Sequence, residues 1–352
     1  MAAKYKTLDD LSSRYSEYKK AGRGIKKVLT GIMPLDYLTA GGIPLGRIIE
    51  LYGAFSSGKS TTSFYIMREF MKEFPDKETM LVDVEGSFDE DWAQKNGLDP
   101  YESNFRIMTG ITGEDIMEKM EFAIRTGQIS IIVLDSLAAM YFEEEQTYAN
   151  TNGDVITKEK IGTMPKKFGV WLKKMSPVMQ ETETTMIILN QIRANLNIYA
   201  GGGGVNAPGG AQKDHQTTMK LMSKSSKVSI GTGKEKEDVG IITNIKCNKN
   251  KVGVAGRVGN IYIYGNTGID IVQTNTDFLV YHGFINQKGP MYYFGEEKFK
   301  GLAALKERME NFDWQVYYND NDFKSFISGN RKIDTSLISV SEDEEVEFEE
   351  QS

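Results

Sequence analysis

Cysteine and histidine are nearly missing from this 352-residue chain, which has one Cys (Cys247) and two His (His215 and His282). A lone cysteine forms no intrachain disulfide, and three scattered soft ligands make no structural zinc site, so the composition points to a reducing, cytoplasmic setting. No apolar run approaches the roughly 18 residues of a membrane helix. The start, Met1-Ala2-Ala3-Lys4-Tyr5-Lys6, lacks the apolar core of a signal segment. These absences predict a soluble protein with no membrane partner. What remains is 40% hydrophobic, enough to build a sizeable core in one large domain or two to three smaller ones.

Acidity is confined rather than spread. The formal net charge is −7, and Ser341 to Glu350 alone holds seven acidic groups and no basic one, so the rest of the chain sums to zero. Asn190 to Arg257 carries eleven Lys or Arg against four Asp or Glu, a local +7 suited to phosphates.

Leu8, Leu11, Tyr15 and Tyr18 recur at three- or four-residue spacing and predict an amphipathic N-terminal helix, followed by the linker Ala21-Gly22-Arg23-Gly24. From Arg47 onward apolar runs alternate with helical patterns: Ile48 to Tyr52, Met80 to Val84, Ile129 to Leu134, Met186 to Leu189 and Ile241 to Ile245. Such alternation predicts an α/β domain whose largely parallel sheet has helices on both faces. Two polar, small-residue stretches, 143–162 and 192–210, are too long for routine connections and read as functional loops. After Tyr264-Gly265 the pattern changes to mixed aromatic segments, with a helix expected over Leu302 to Phe312. This predicts a small α/β lobe over 271–335.

Gly53-Ala54-Phe55-Ser56-Ser57-Gly58-Lys59-Ser60 fits G-x-x-x-x-G-K-[ST], follows the run Ile48 to Tyr52 and opens a helical pattern from Ser60 to Phe70. Its glycines allow backbone N–H groups to face phosphates, the helix N-terminus adds a positive dipole, and Lys59 offers a cation to the β and γ oxygens. Gly53, Ser56, Ser57, Gly58, Lys59, Ser60 and Thr61 are therefore assigned to ATP. Mg²⁺ needs the Ser60 hydroxyl and a carboxylate at a strand end, which Asp135 supplies after Ile131 to Leu134. Glu85, just beyond the run Met80 to Val84, is the candidate base for the attacking water. Gln191 ends another strand, can sense a γ-phosphate through its amide, and leads into the second long loop.

Together with Gly41 to Tyr52 ahead of the phosphate loop, Val82-Asp83-Val84-Glu85, Leu134 to Ala139, Asn190-Gln191-Ile192-Arg193, Gly209-Gly210 and Lys249-Asn250-Lys251, the chain resembles the bacterial and phage RecA recombinase family. The resemblance spans about residues 28–295. It implies a RecA-type P-loop NTPase core over 36–270, preceded by a polymerisation segment (1–35) and followed by the small lobe (271–335) and an acidic disordered tail (336–352). It implies adenine contacts at Asp89, Trp92 and Tyr264, and γ-phosphate contacts from Lys249 and Lys251 to the neighbouring protomer. It places DNA-binding loops at 143–162 and 192–210, with Lys166, Lys173 and Arg193 near phosphates, Ile161 and Leu196 as wedges, and Gly162, Gly209 and Gly210 at the loop ends. The function implied is DNA-dependent ATP hydrolysis in a filament that pairs single-stranded DNA with homologous duplex, aided by single-strand-binding and mediator proteins. A ring helicase or a non-enzymatic RecA-like regulator is the alternative. One departure matters: polar Lys213-Asp214-His215 stands where the family has a more apolar stretch.

Overall fold

A computed structural model describes residues 24–142, 147–149, 155–157, 163–192, 210–231 and 235–329. The expected N-terminal helix, the acidic tail, Ile161, Gly162, Arg193, Leu196 and Gly209 lie outside these residues. The strands are β1 (Lys27–Val28), β2 (Ile43–Pro44), β3 (Ile48–Gly53), β4 (Glu78–Asp83), β5 (Phe105–Met108), β6 (Ile129–Asp135), β7 (Thr147–Ala149), β8 (Val155–Thr157) and β9 (Thr185–Gln191), then β10 (Met219–Ile230), β11 (Glu237–Asn250), β12 (Val258–Tyr264), β13 (Gly268–Ile269), β14 (Asn286–Lys288), β15 (Met291–Phe294) and β16 (Glu297–Lys300). The helices are α1 (Met33–Leu38), α2 (Lys59–Glu73), α3 (Glu90–Lys95), α4 (Gly113–Arg125), α5 (Thr163–Thr182), α6 (Gly210–Gln216), α7 (Ile271–Tyr281), α8 (Leu302–Met309), α9 (Gln315–Asn319) and α10 (Asn321–Ser328). None is long and apolar enough to cross a membrane among the described residues.

Nine strands form one sheet in the order β13-β12-β11-β10-β3-β9-β6-β4-β5. The six from β10 to β5 run parallel, and β11, β12 and β13 join them antiparallel. The side-chain period of two explains why β3, β6 and β9 read as largely apolar runs, with Glu50 the exception in β3. Ile49, Leu51, Ile131, Val133, Ile187 and Leu189 enter one buried cluster with Phe64, Met67 and Phe70 of α2. Their even-numbered neighbours Ile48, Ile132, Leu134, Met186 and Ile188 enter a second cluster with α4 and α5. A strand covered on both faces is apolar at nearly every position, and the buried exceptions Glu50 and Asn190 are hydrogen-bonded to each other, so the three layers follow largely from the runs.

The structure adds what the runs did not convey. Ile241 to Ile245 lies inside β11, which is antiparallel to both neighbours, while β5 and β10 had no recognisable run. Beyond β13, an Asp270 side chain that accepts from Gln273 N starts α7. A third cluster joins Phe278, Leu279, Leu305, Met309, Tyr318, Phe323 and Ile327 to Met33 of α1. The small antiparallel sheet β14-β15-β16 lies in this part of the chain.

Candidate functional site

Parallel strands deliver their carboxyl ends to one edge of a sheet, which is where open α/β folds gather ligand groups. Gly53 at the end of β3 pairs in register with Gln191 at the end of β9, and Asp83 of β4 pairs with Asp135 of β6. Glu85 follows two residues after β4. The four sequence motifs therefore converge because of register, not chance.

Between β3 and α2 the chain makes a tight loop with Ser56 at φ 54° and Gly58 at φ 80°. A Cβ on Gly53 would lie 2.2 Å from Ser223 O, and one on Gly58 would lie 2.4 Å from Thr243 Oγ1, so both positions require glycine. Strand β10 also braces the loop: Ser57 Oγ and Ser223 Oγ are 2.7 Å apart, and Ser225 Oγ donates to Ser56 O at 3.2 Å. Ser223, Ser225 and Thr243 were not legible as site residues, because nothing in the sequence announces that β10 and β11 back the loop. Lys59 Nζ donates to Ala54 O at 2.7 Å, curling its ammonium into the loop. Burial lowers the Lys59 pKa, while Asp135 and Glu85 oppose the shift.

Ser60 Oγ donates to Asp135 Oδ2 at 2.7 Å. Burial raises the Asp135 pKa, the Ser60 hydrogen bond lowers it, and the charges of Glu85 and Asp83 raise it again. A hydroxyl and a carboxylate side by side form an all-oxygen donor pair next to a phosphate loop, which fits Mg²⁺ completed by phosphate oxygens and water. Glu85 Oε1 accepts from Ser136 Oγ and, at 3.0 Å, from Gln191 Nε2. Ser136 thus joins the site as a residue the sequence reading passed over.

Asp89 caps α3 by accepting from Trp92 N at 2.9 Å, and Trp92 Nε1 donates to Thr61 Oγ1 at 3.0 Å. Asp89 and Trp92 share with Ser60, Asp83 and Asp135 the wall of a cavity of about 80 Å³. Tyr264 is on β12, its hydroxyl donating to Gln273 Oε1, and no hydrogen bond among the described residues joins it to Asp89 or Trp92. Lys249 and Lys251 do not reach their own phosphate loop. Both donate to carbonyls at the end of α6, Lys249 to Asp214 O and Lys251 to His215 O. Burial, and then the charge of Lys251, lowers the Lys249 pKa. Lys166 and Lys173 are exposed on α5, while Lys167 and Lys174 beside them pair with Glu114 and Glu121 of α4. Gly210 is the first residue of α6.

Fold and site together define a P-loop nucleotide-binding protein with a mostly parallel sheet and a hydrogen-bonded hydroxyl–carboxylate pair, Ser60 and Asp135, at its carboxyl edge. The model of the RecA N-terminal domain matches residues 16–270. The chain is 30% identical over 288 residues to Protein RecA of Ureaplasma parvum serovar 3, covering 82% of this chain and 81% of that one. It is 30% identical over 293 residues to Protein RecA of Acholeplasma laidlawii, with 83% and 84% covered. To the chromosomal RecA of Lactococcus lactis subsp. lactis it is 29% identical over 299 residues, with 83% and 75% covered. The chain belongs to the RecA family of nucleotide-binding recombination proteins.

Proposed function

We propose that this protein is an ATP-dependent recombinase that polymerises on single-stranded DNA, pairs it with homologous duplex and exchanges strands. The observation that carries the reading is the convergence of Lys59, Ser60, Asp135, Glu85 and Gln191 at one sheet edge. In it the loop amides and Lys59 hold the β and γ phosphates, and Ser60 with Asp135 holds Mg²⁺, which when bound neutralises phosphate charge. Glu85 takes the proton of the attacking water, oriented by the hydrogen bonds that Ser136 and Gln191 donate to it. Asp89, Trp92 and Tyr264 face the adenine, and an aromatic ring supplies a π surface for it.

Lys249 and Lys251 are read as cations for the γ-phosphate of the next copy, since they point to α6 rather than to their own loop. Self-association is further supported by apolar surface along the edge strand β5 and α4, where Ile107, Ile111 and Phe122 are exposed. DNA is assigned to segments 143–162 and 192–210, with Lys166 and Lys173 flanking the first. Residues 1–35, 36–270, 271–335 and 336–352 serve as polymerisation segment, ATPase core, small lobe and acidic tail. The test of shared sites is a mixture: Lys249→Ala or Lys251→Ala protein alone should lose DNA-stimulated hydrolysis, and mixing either with Lys59→Ala protein should recover part of it. No recovery at any ratio contradicts completion in trans.

A further inference from the structure

Glu50 lies in the middle of β3, three residues before the phosphate loop, and is fully buried. Its Oε1 accepts from Asn190 Nδ2 at 2.8 Å and from Lys213 Nζ, itself only 1% exposed. Its Oε2 lies 3.5 Å from Lys220 Nζ of β10, which is also 2.8 Å from Asp214 Oδ1. Asn190 immediately precedes Gln191, and Lys213 stands on α6, the helix that closes the second long segment. The same helix offers the carbonyls of Asp214 and His215 to Lys249 and Lys251.

One buried carboxylate therefore joins the strand of the phosphate loop, the strand of the γ-phosphate sensor and the far end of the 192–210 segment. Lys213 also lies 3.8 Å from Asp214 Oδ1, and shifting α6 away from Glu50 takes the closest partner from two charges in a poorly solvating medium, so the cost of breaking the connection is high. Lys213 is also part of the polar Lys213-Asp214-His215 stretch by which this chain departs from the family pattern.

We propose that Lys213 and Glu50 form a positioning latch that carries the state of the 192–210 segment to the phosphate loop. Stimulation of ATP hydrolysis by DNA then passes through this pair, in addition to any path through Gln191. The proposal rests on the reading that this segment binds DNA.

The test uses full-length protein, ATP and oligo-dT. Lys213→Met and Glu50→Gln singly should lower the melting temperature, because each removes the closest partner of a buried charge and leaves it only a more distant one, Lys220 for Glu50 and Asp214 for Lys213. The Glu50→Gln/Lys213→Met pair removes both charges while keeping the shape, and should melt near wild type. Its hydrolysis without DNA should match wild type, its stimulation by oligo-dT should fall about tenfold or more, and Lys213→Arg should retain stimulation. Full stimulation of the double variant at normal stability overturns the latch and leaves the pair a structural tie. If the double variant does not fold, Lys213→Arg and Lys213→Met are compared at a temperature where both are folded, and equal stimulation overturns it. Absence of stimulation in the wild type contradicts the recombinase reading itself, and the latch with it.

Discussion

The proposed function gives Lys59 and Glu85 separable duties in one site, binding and turnover. Lys59→Ala removes the charge-assisted contact to the phosphates, an interaction of about 1.5–3 kcal/mol. ATP affinity, read by titration with a fluorescent analogue, should therefore fall tenfold or more. Glu85→Gln keeps the shape and the contact with Ser136 but cannot take a proton. Binding should persist while hydrolysis falls by about 100-fold or more, and near-normal turnover contradicts the assignment of Glu85 as base. Asp36 gives a pH-dependent test remote from the site. It is fully buried, accepts from Thr30, Gly31 and Tyr318, and burial raises its pKa to about 6 despite those hydrogen bonds. The folded state thus holds a proton that the unfolded chain releases near pH 3.8, and the stability this gives at low pH is lost as pH rises through about 6. The stability of wild type relative to Asp36→Asn should fall by about 2 kcal/mol from about pH 4 to 7, measured by urea unfolding. A flat difference contradicts the buried, protonated Asp36.

Strand β10 and the β3 end form the support on which the phosphate loop depends. Gly53→Ala forces a methyl group against Ser223 O, 2.2 Å away. Such overpacking costs about 1–3 kcal/mol, and both a lower urea midpoint and weaker ATP binding should follow. Phe122 of α4 is 75% exposed, so Phe122→Glu should leave the melting temperature unchanged while reducing assembly in light scattering. Unaltered assembly removes this face from the interface. The same elements explain what was legible in the sequence. β3, β6 and β9 are covered on both faces, so their apolar runs identified the sheet, and parallel pairing then carried Lys59, Asp135, Glu85 and Gln191 to one edge. β10 was hidden because its second half, Lys224 onward, is largely exposed and reads as polar. Without it neither the antiparallel turn of β11 nor the bracing by Ser223 and Ser225 could be derived. Glu50 and Lys213 stayed unpaired in sequence because 163 positions separate them.

Charge is distributed so that an acidic stretch near residue 350 and a basic interior stretch are opposite in sign. The seven carboxylates of Ser341 to Glu350 equal in magnitude the +7 of Asn190 to Arg257, which makes competition with DNA phosphates for the same cations a testable expectation. Truncation after Val340 should tighten binding to duplex DNA most at low salt and low Mg²⁺, with the gap to full-length protein closing as either rises. Equal affinities at low ionic strength leave the tail a solubility role. Polymerisation, nucleotide and DNA meet in one claim: a continuous assembly whose ATP sites are built on DNA. Electron microscopy of the full-length protein with ATP, Mg²⁺ and long single-stranded DNA tests it most directly. Helical filaments that coat the DNA, need ATP and are lost in Lys59→Ala are expected; closed rings, or unassembled protein under those conditions, contradict it.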